Sequence, residues 1–120
     1  MVAGNHDWLF QREPARARGL RRHATYQQDA GAVVGGLRVW GSPWQPRGPR
    51  ALQAADGWSA HVGCEELRVT VERVAPGLHV FGHIHEAHGC ERHGPSQFVN
   101  AANCDRAYRP VQTPVVVTID

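Results

Sequence analysis

Leu78-His79-Val80-Phe81-Gly82-His83-Ile84-His85-Glu86 is the stretch whose reading decides the fold. It reads as a short apolar strand that runs into a glycine and then presents two histidines, one residue apart. Neutral imidazole is the commonest side-chain metal ligand. Residues two apart in extended backbone point the same way. His83 and His85 are therefore expected to converge on one spot, or on two neighbouring spots, with Ile84 turned into the core. Gly82 frees the backbone to bend as it leaves the strand. Two surface histidines are the plainer reading of such a pair. A second polar cluster far off in sequence, Gly4-Asn5-His6-Asp7, speaks against it.

The flanks of this stretch predict alternating helix and strand. Residues 64–74 read as the best helix, because Leu67, Val71 and Val74 form one apolar stripe. This stripe is expected to pack on the sheet that contains residues 78–81. Glu65 and Glu66 sit in the first turn, where the helix dipole favours them. Pro76-Gly77 stops the helix, and a strand follows at once. Beyond the histidines, residues 97–99 read as a short strand and residues 100–103 as the turn out of it. Residues 115–119 read as a final strand, with Pro114 at its start.

On the other side, residues 1–3 look like the end of a strand leading into the polar turn at Gly4-Asn5-His6-Asp7. Such a turn, at the carboxyl end of a strand, is where α/β proteins place ligands. Residues 12–22 carry five arginines, Arg12, Arg16, Arg18, Arg21 and Arg22. Pro14 is suited to open a helical turn there, and the charge run is read as a solvated face. Residues 32–34, Gly35-Gly36 and residues 37–40 read as a β-hairpin, the glycine pair supplying the positive φ of a tight turn. Residues 47–60 read as loop.

The chain has 120 residues, room for one domain. Its 42% hydrophobic content allows a modest core and argues against disorder. No apolar run approaches a membrane span, and the first residues lack the pattern of a signal peptide. Three cysteines, Cys64, Cys90 and Cys104, fit no disulfide framework and suit a reducing compartment, so a cytoplasmic protein is expected. Cys90 and His93, with His88 and Cys104, match no standard zinc-finger spacing. A net charge of +2 is too small to imply nucleic acid.

Gly4-Asn5-His6-Asp7 taken with Gly82-His83-Ile84-His85 resembles the calcineurin-like metallophosphoesterase superfamily. Gly41-Ser42-Pro43-Trp44-Gln45-Pro46, His61-Val62-Gly63-Cys64-Glu65-Glu66-Leu67 and Phe98-Val99-Asn100-Ala101-Ala102-Asn103-Cys104 are similar to its metallophosphoesterase-domain-containing branch, related to class III cyclic-nucleotide phosphodiesterases. The resemblance covers most of the chain and implies an α/β fold, a β-sandwich flanked by helices. It also implies a hydrolase of phosphomonoesters or phosphodiesters, cyclic nucleotides among them. Two divalent metal ions, manganese, iron or zinc, would bind the phosphoryl group and generate hydroxide. Carried over onto this chain, Asn5 and His83 would bind one metal and His85 the other. His6 would face the phosphate, and Asp7 would orient His6.

The family's pattern has further motifs that this sequence does not show. An Asp-x-His and a Gly-Asp ahead of Gly4 are missing, as is a Thr-His or Ser-His between Trp44 and His61. The expectation is one partial domain over residues 1–120, truncated at its N-terminus and carrying an internal deletion. A catalytic zinc usually has three protein ligands, so the chain alone is expected to bind metal weakly and turn over poorly. The lost strand partners are expected to leave an open edge that favours self-association. A non-catalytic remnant or interaction module that needs a partner chain is the alternative.

Overall fold

A computed structural model describes residues 1–44 and 64–119. The expected loop over 47–60, and His61, Val62 and Gly63 of the motif preceding the long helix, lie outside the described residues. The chain divides into two compact units, Met1–Arg47 and Gly48–Asp120, and each is described by itself.

In the first unit residues 1–3, expected as a strand end, lie in no strand and are tied instead to residues 25 and 27. The Met1 amine donates to Thr25 O at 2.8 Å, and Gln27 N donates to Met1 O at 2.9 Å. Two short helices follow, α1 (Trp8–Arg12) and α2 (Pro14–Gly19), the second opening on the expected proline. Strands β1 (Ala30–Val34) and β2 (Leu37–Gly41) form the expected hairpin. Gly35 and Gly36 have φ of 57° and 83°, the pair of positive values that a two-residue turn of type I′ requires. Ala3, Ala17 and Gln27 are buried. The Gln27 side chain donates to Val39 O at 3.2 Å. Gly41 packs so closely on it that a Cβ there would lie 2.5 Å from Gln27 Cβ.

The second unit opens with α3 (Glu65–Val74), one residue shorter than expected because Cys64 serves as its N-cap. Arg68 bridges Glu65 and Glu72 along its exposed side. Ala75 ends it in the left-handed region, φ 47°, and its N–H closes onto Val71 O. Strands β3 (Leu78–Phe81), β4 (Gly89–His93) and β5 (Ser96–Asn100) form one sheet in the order β3-β5-β4. β5 runs parallel to β3 and antiparallel to β4. The β4–β5 turn is Gly94-Pro95, with Gly94 at φ 56°. That is the glycine-first geometry of a type II′ turn. The α/β content expected from the sequence is present.

Three expectations are corrected. Of the stripe Leu67, Val71 and Val74, only Val71 is buried, while Leu67 and Val74 stay exposed. The stripe is narrow, and the fourth apolar residue of α3, Val69, lies off it and is exposed. Residues 115–119 are not a strand. A strand exists only through its ladder partner, and among the described residues this β-branched run has none. β4 was missed because Cys90-Glu91-Arg92-His93 has no apolar alternation.

His79 lies directly across from Phe98 in the parallel register and stacks near Phe81. Burial among these rings pushes its imidazole below the ordinary histidine value. A group depressed on folding gives stability that is present above its unfolded pKa, near 6.5, and is lost as pH falls through the folded value. Stability against urea is therefore expected to fall as pH drops from 7 toward 5, and His79→Phe should flatten that dependence. Ala75→Gly should raise stability by about 1 kcal/mol, since glycine escapes the cost of a left-handed Cβ. A lowered urea midpoint in that variant would contradict the cap assignment.

Candidate functional site

Parallel pairing puts the carboxyl ends of β3 and β5 side by side. Phe81 pairs with Asn100, and Ala101 N donates to Phe81 O at 2.8 Å. The segments leaving the two strands therefore emerge together, one carrying His83 and His85, the other Asn100 and Asp105. This edge is where an open α/β sheet gathers ligands.

The histidine segment is not extended, contrary to the expected alternation. Ile84 N donates to Gly82 O at 2.9 Å, and His83 between them has φ 75°. This is the γ-turn with positive central φ, a rare and strained form. His85 then begins a 3-10 turn over His85–Ala87. His83 is exposed, Ile84 and His85 half-buried. The two imidazoles are thus set by a tight turn, and the pleat of a strand plays no part. Gly82 lets the chain leave the strand, but the strained residue is His83 itself.

Two polar groups hold this turn. Asn100, 3% exposed, donates through Nδ2 to Ile84 O at 2.7 Å and accepts from Ala102 N at 3.0 Å. A buried side-chain amide must find partners, and here they fix the carbonyl between the two histidines. His85 Nδ1 lies 2.8 Å from Asp105 O. A carbonyl can only accept, so Nδ1 carries the proton and Nε2 of the neutral ring keeps the electron pair. Tyr108 stands edge-on to His85, ring centroids 5.2 Å apart. Arg106 hydrogen-bonds Glu86 and holds its carboxyl below the ordinary value; Arg109 does the same for Asp105. Asp105 and Tyr108 were not singled out from the sequence, and Asn100 was read there only as part of a family motif, without a role at this site. A polar residue closing a strand, and an Asp followed by a short turn, were the available signals.

Asn5, His6 and Asp7 lie in the first unit. Asp7 N donates to Gly4 O at 3.1 Å, which puts Asn5 and His6 at the tip of a β-turn, both exposed. The Asp7 carboxylate accepts from Gly4 N at 2.7 Å and so closes the same turn. α1 starts immediately after it. Of the arginine run that follows, Arg12, Arg16, Arg18 and Arg22 are exposed while Arg21 is half-buried with its Nε covered, and Arg16 pairs with Glu13. Arg18 and Arg21 lie over the Tyr26 ring.

His85, with Nδ1–H given to a carbonyl, has the arrangement of a metal-binding imidazole. Asn5 of the first unit and His83 and His85 of the second are all neutral donors. Among the described residues, no group of three or more His, Cys, Asp or Glu side chains gathers to hold a metal ion. Among the same residues, no helix is long and apolar enough to cross a membrane.

No protein-family profile matches the chain. It is similar to human metallophosphoesterase domain-containing protein 1, 30% identical over 176 residues that take in 99% of this chain and 54% of the relative. The mouse protein of the same name matches equally. The Caenorhabditis elegans UPF0046 protein K07C11.7 is 30% identical over 163 residues, 99% of this chain and 56% of the relative. The chain thus spans about half the length of the curated relatives it matches. Both matched stretches are longer than its own 120 residues. These relatives, matched over 99% of this chain at about 30% identity, support its membership of the metallophosphoesterase superfamily.

Proposed function

We propose that this chain supplies part of a metal-dependent phosphoester hydrolase site, acting on phosphomonoesters or phosphodiesters with cyclic nucleotides as a candidate class, in the cytoplasm. The two units are proposed to belong to one partial phosphoesterase domain, a β-sandwich flanked by helices. The observation that carries the reading is the His83-Ile84-His85 turn at the carboxyl end of β3, with Asn100 on its carbonyl and His85 Nδ1 on Asp105 O. The name of the human and mouse relatives supports the same class. In this proposal Asn5 and His83 face one divalent ion and His85 a second, manganese, iron or zinc. His6 faces the phosphate, where it steadies developing charge or protonates the leaving oxygen. Asp7 fixes the turn on which His6 sits.

Three neutral donors hold a dication weakly. Assayed with manganese and bis-p-nitrophenyl phosphate, the 120-residue chain is expected to give little or no turnover, unchanged in His85→Ala. A longer chain bearing an Asp-x-His and a Gly-Asp ahead of Gly4 should turn over. In that chain His6→Ala should lower kcat by about a hundredfold or more with little change in metal affinity. Robust manganese-dependent hydrolysis by the 120-residue chain, abolished in His85→Ala, would sink this account.

A second reading, a non-catalytic module that needs a partner or a second copy, has its own support. Among the described residues the buried hydrophobics are small: Ala3, Ala17, Val71, Val99 and Ala102. Val33, Val34 and Trp40 on the hairpin and Val80 on β3 are exposed. Exposed apolar surface of this kind marks an association surface. Sedimentation of the purified chain is expected to show concentration-dependent association. A monomer at all concentrations would remove that support.

A further inference from the structure

Asp105 makes more contacts than a surface carboxylate needs. Its Oδ1 accepts from Ala107 N at 2.8 Å and from Arg109 N at 3.0 Å, and its Oδ2 from Arg109 Nε at 2.7 Å. Its own N–H donates to Arg109 O at 3.0 Å, and Cys104 bridges to Pro110 just outside. Residues 105–109 are thereby a loop closed on Asp105 by both side-chain and main-chain bonds. The Asp105 carbonyl then takes two donors, Tyr108 N at 2.9 Å and His85 Nδ1 at 2.8 Å, one for each lone pair. Tyr108 pays a backbone penalty to sit there, with φ 59°, and its ring lies at 86° to the imidazole of His85.

We propose that Asp105 is a positioning residue for His85: its carboxylate closes the 105–109 loop, and that loop presents the Asp105 carbonyl so that His85 is held as the Nδ1–H tautomer. The preference of free histidine in water is the opposite, Nε2–H, so the loop reverses it. The electron pair is thereby confined to Nε2 before any cation arrives. For a second element to fix the tautomer of a metal-binding histidine is general chemistry. Here it is assigned to a carboxylate 20 residues away that acts through its own backbone. The positioning role stands on geometry alone; only its use in metal binding rests on the proposed function.

Long-range 1H–15N correlation spectra of the 15N-labelled 120-residue chain at pH 8, without metal, read the tautomer directly. Wild type is expected to show His85 protonated at Nδ1. Asp105→Ala should return it toward Nε2–H, while Asp105→Asn, which keeps an Oδ1 acceptor for Ala107 and Arg109, should retain Nδ1–H. An unchanged Nδ1–H in folded Asp105→Ala would overturn the proposal. So would Nε2–H in wild type or in folded Asp105→Asn, which keeps the test decisive if the alanine variant does not fold. Zn2+ added alone should shift Nε2 of His85 in wild type and bind about tenfold or more weakly to Asp105→Ala. Nδ1–H in wild type that is lost in Asp105→Ala, with Zn2+ leaving Nε2 unmoved, would support the positioning role and remove the metal role.

Discussion

The parallel pairing of β3 with β5 is the constraint on which the histidine turn depends. An antiparallel partner would send its chain away from Gly82 at the opposite edge. A parallel one delivers Asn100, and then Asp105, to the edge where His83 and His85 emerge. β4 lies on the far side of β5 and starts at this same edge, Gly89 beside Asn100. Residues 82–88 are therefore confined between two strand ends. Buried Asn100 makes the arrangement hard to undo. Losing its partners would leave an unsatisfied amide, at a cost of about 1–3 kcal/mol.

Strain and hydrogen bonding are matched at this edge. His83 and Tyr108 are two of the four non-glycine residues with positive φ among the described residues. The others, Asp29 and Ala75, sit where a turn enters β1 and where α3 ends. Such conformations cost of order 1–3 kcal/mol each and persist where the surroundings over-determine them. For His83 the determinants are the bond from Ile84 N to Gly82 O and the bond from Asn100 to Ile84 O. For Tyr108 they are its N–H on Asp105 O and the two N–H groups on either side, Ala107 and Arg109, both on Asp105 Oδ1.

The hairpin at Gly35-Gly36, α3 with its acidic first turn, and β3 were legible because each depends on local chemistry: positive φ, the helix dipole, an apolar run before a glycine. The two histidine-bearing turns were legible for the same reason, since glycine and polar residues cluster at both. What was not legible depends on partners distant in sequence. Residues 115–119 look like a strand by composition, yet a strand needs a neighbour that composition cannot supply. β4 looks unlike a strand, yet it pairs with β5 because Gly94-Pro95 turns it back. The alternation argument for His83 and His85 failed since it assumed that strand geometry continues past Phe81. Asn100 and Asp105 were invisible as site residues because their roles exist only once β3 and β5 lie parallel.

The chemistry of the frame has a consequence for order in the absence of metal. Sites built from several carboxylates repel themselves until a cation neutralises them. The turn carrying His83 and His85 is held by neutral donors and acceptors: an amide side chain, an imidazole and main-chain carbonyls. The two nearby carboxylates are already occupied, Glu86 by Arg106 and Asp105 by Arg109. No like-charge repulsion therefore opposes the loop, and its geometry does not wait on an ion. The same neutrality limits what the loop can do alone, because a dication bound only by imidazole and amide keeps its full charge. Order and affinity are thus separate properties here. The first comes from the parallel strands and Asp105, and the second requires anionic donors not already taken by arginine, as Glu86 and Asp105 are.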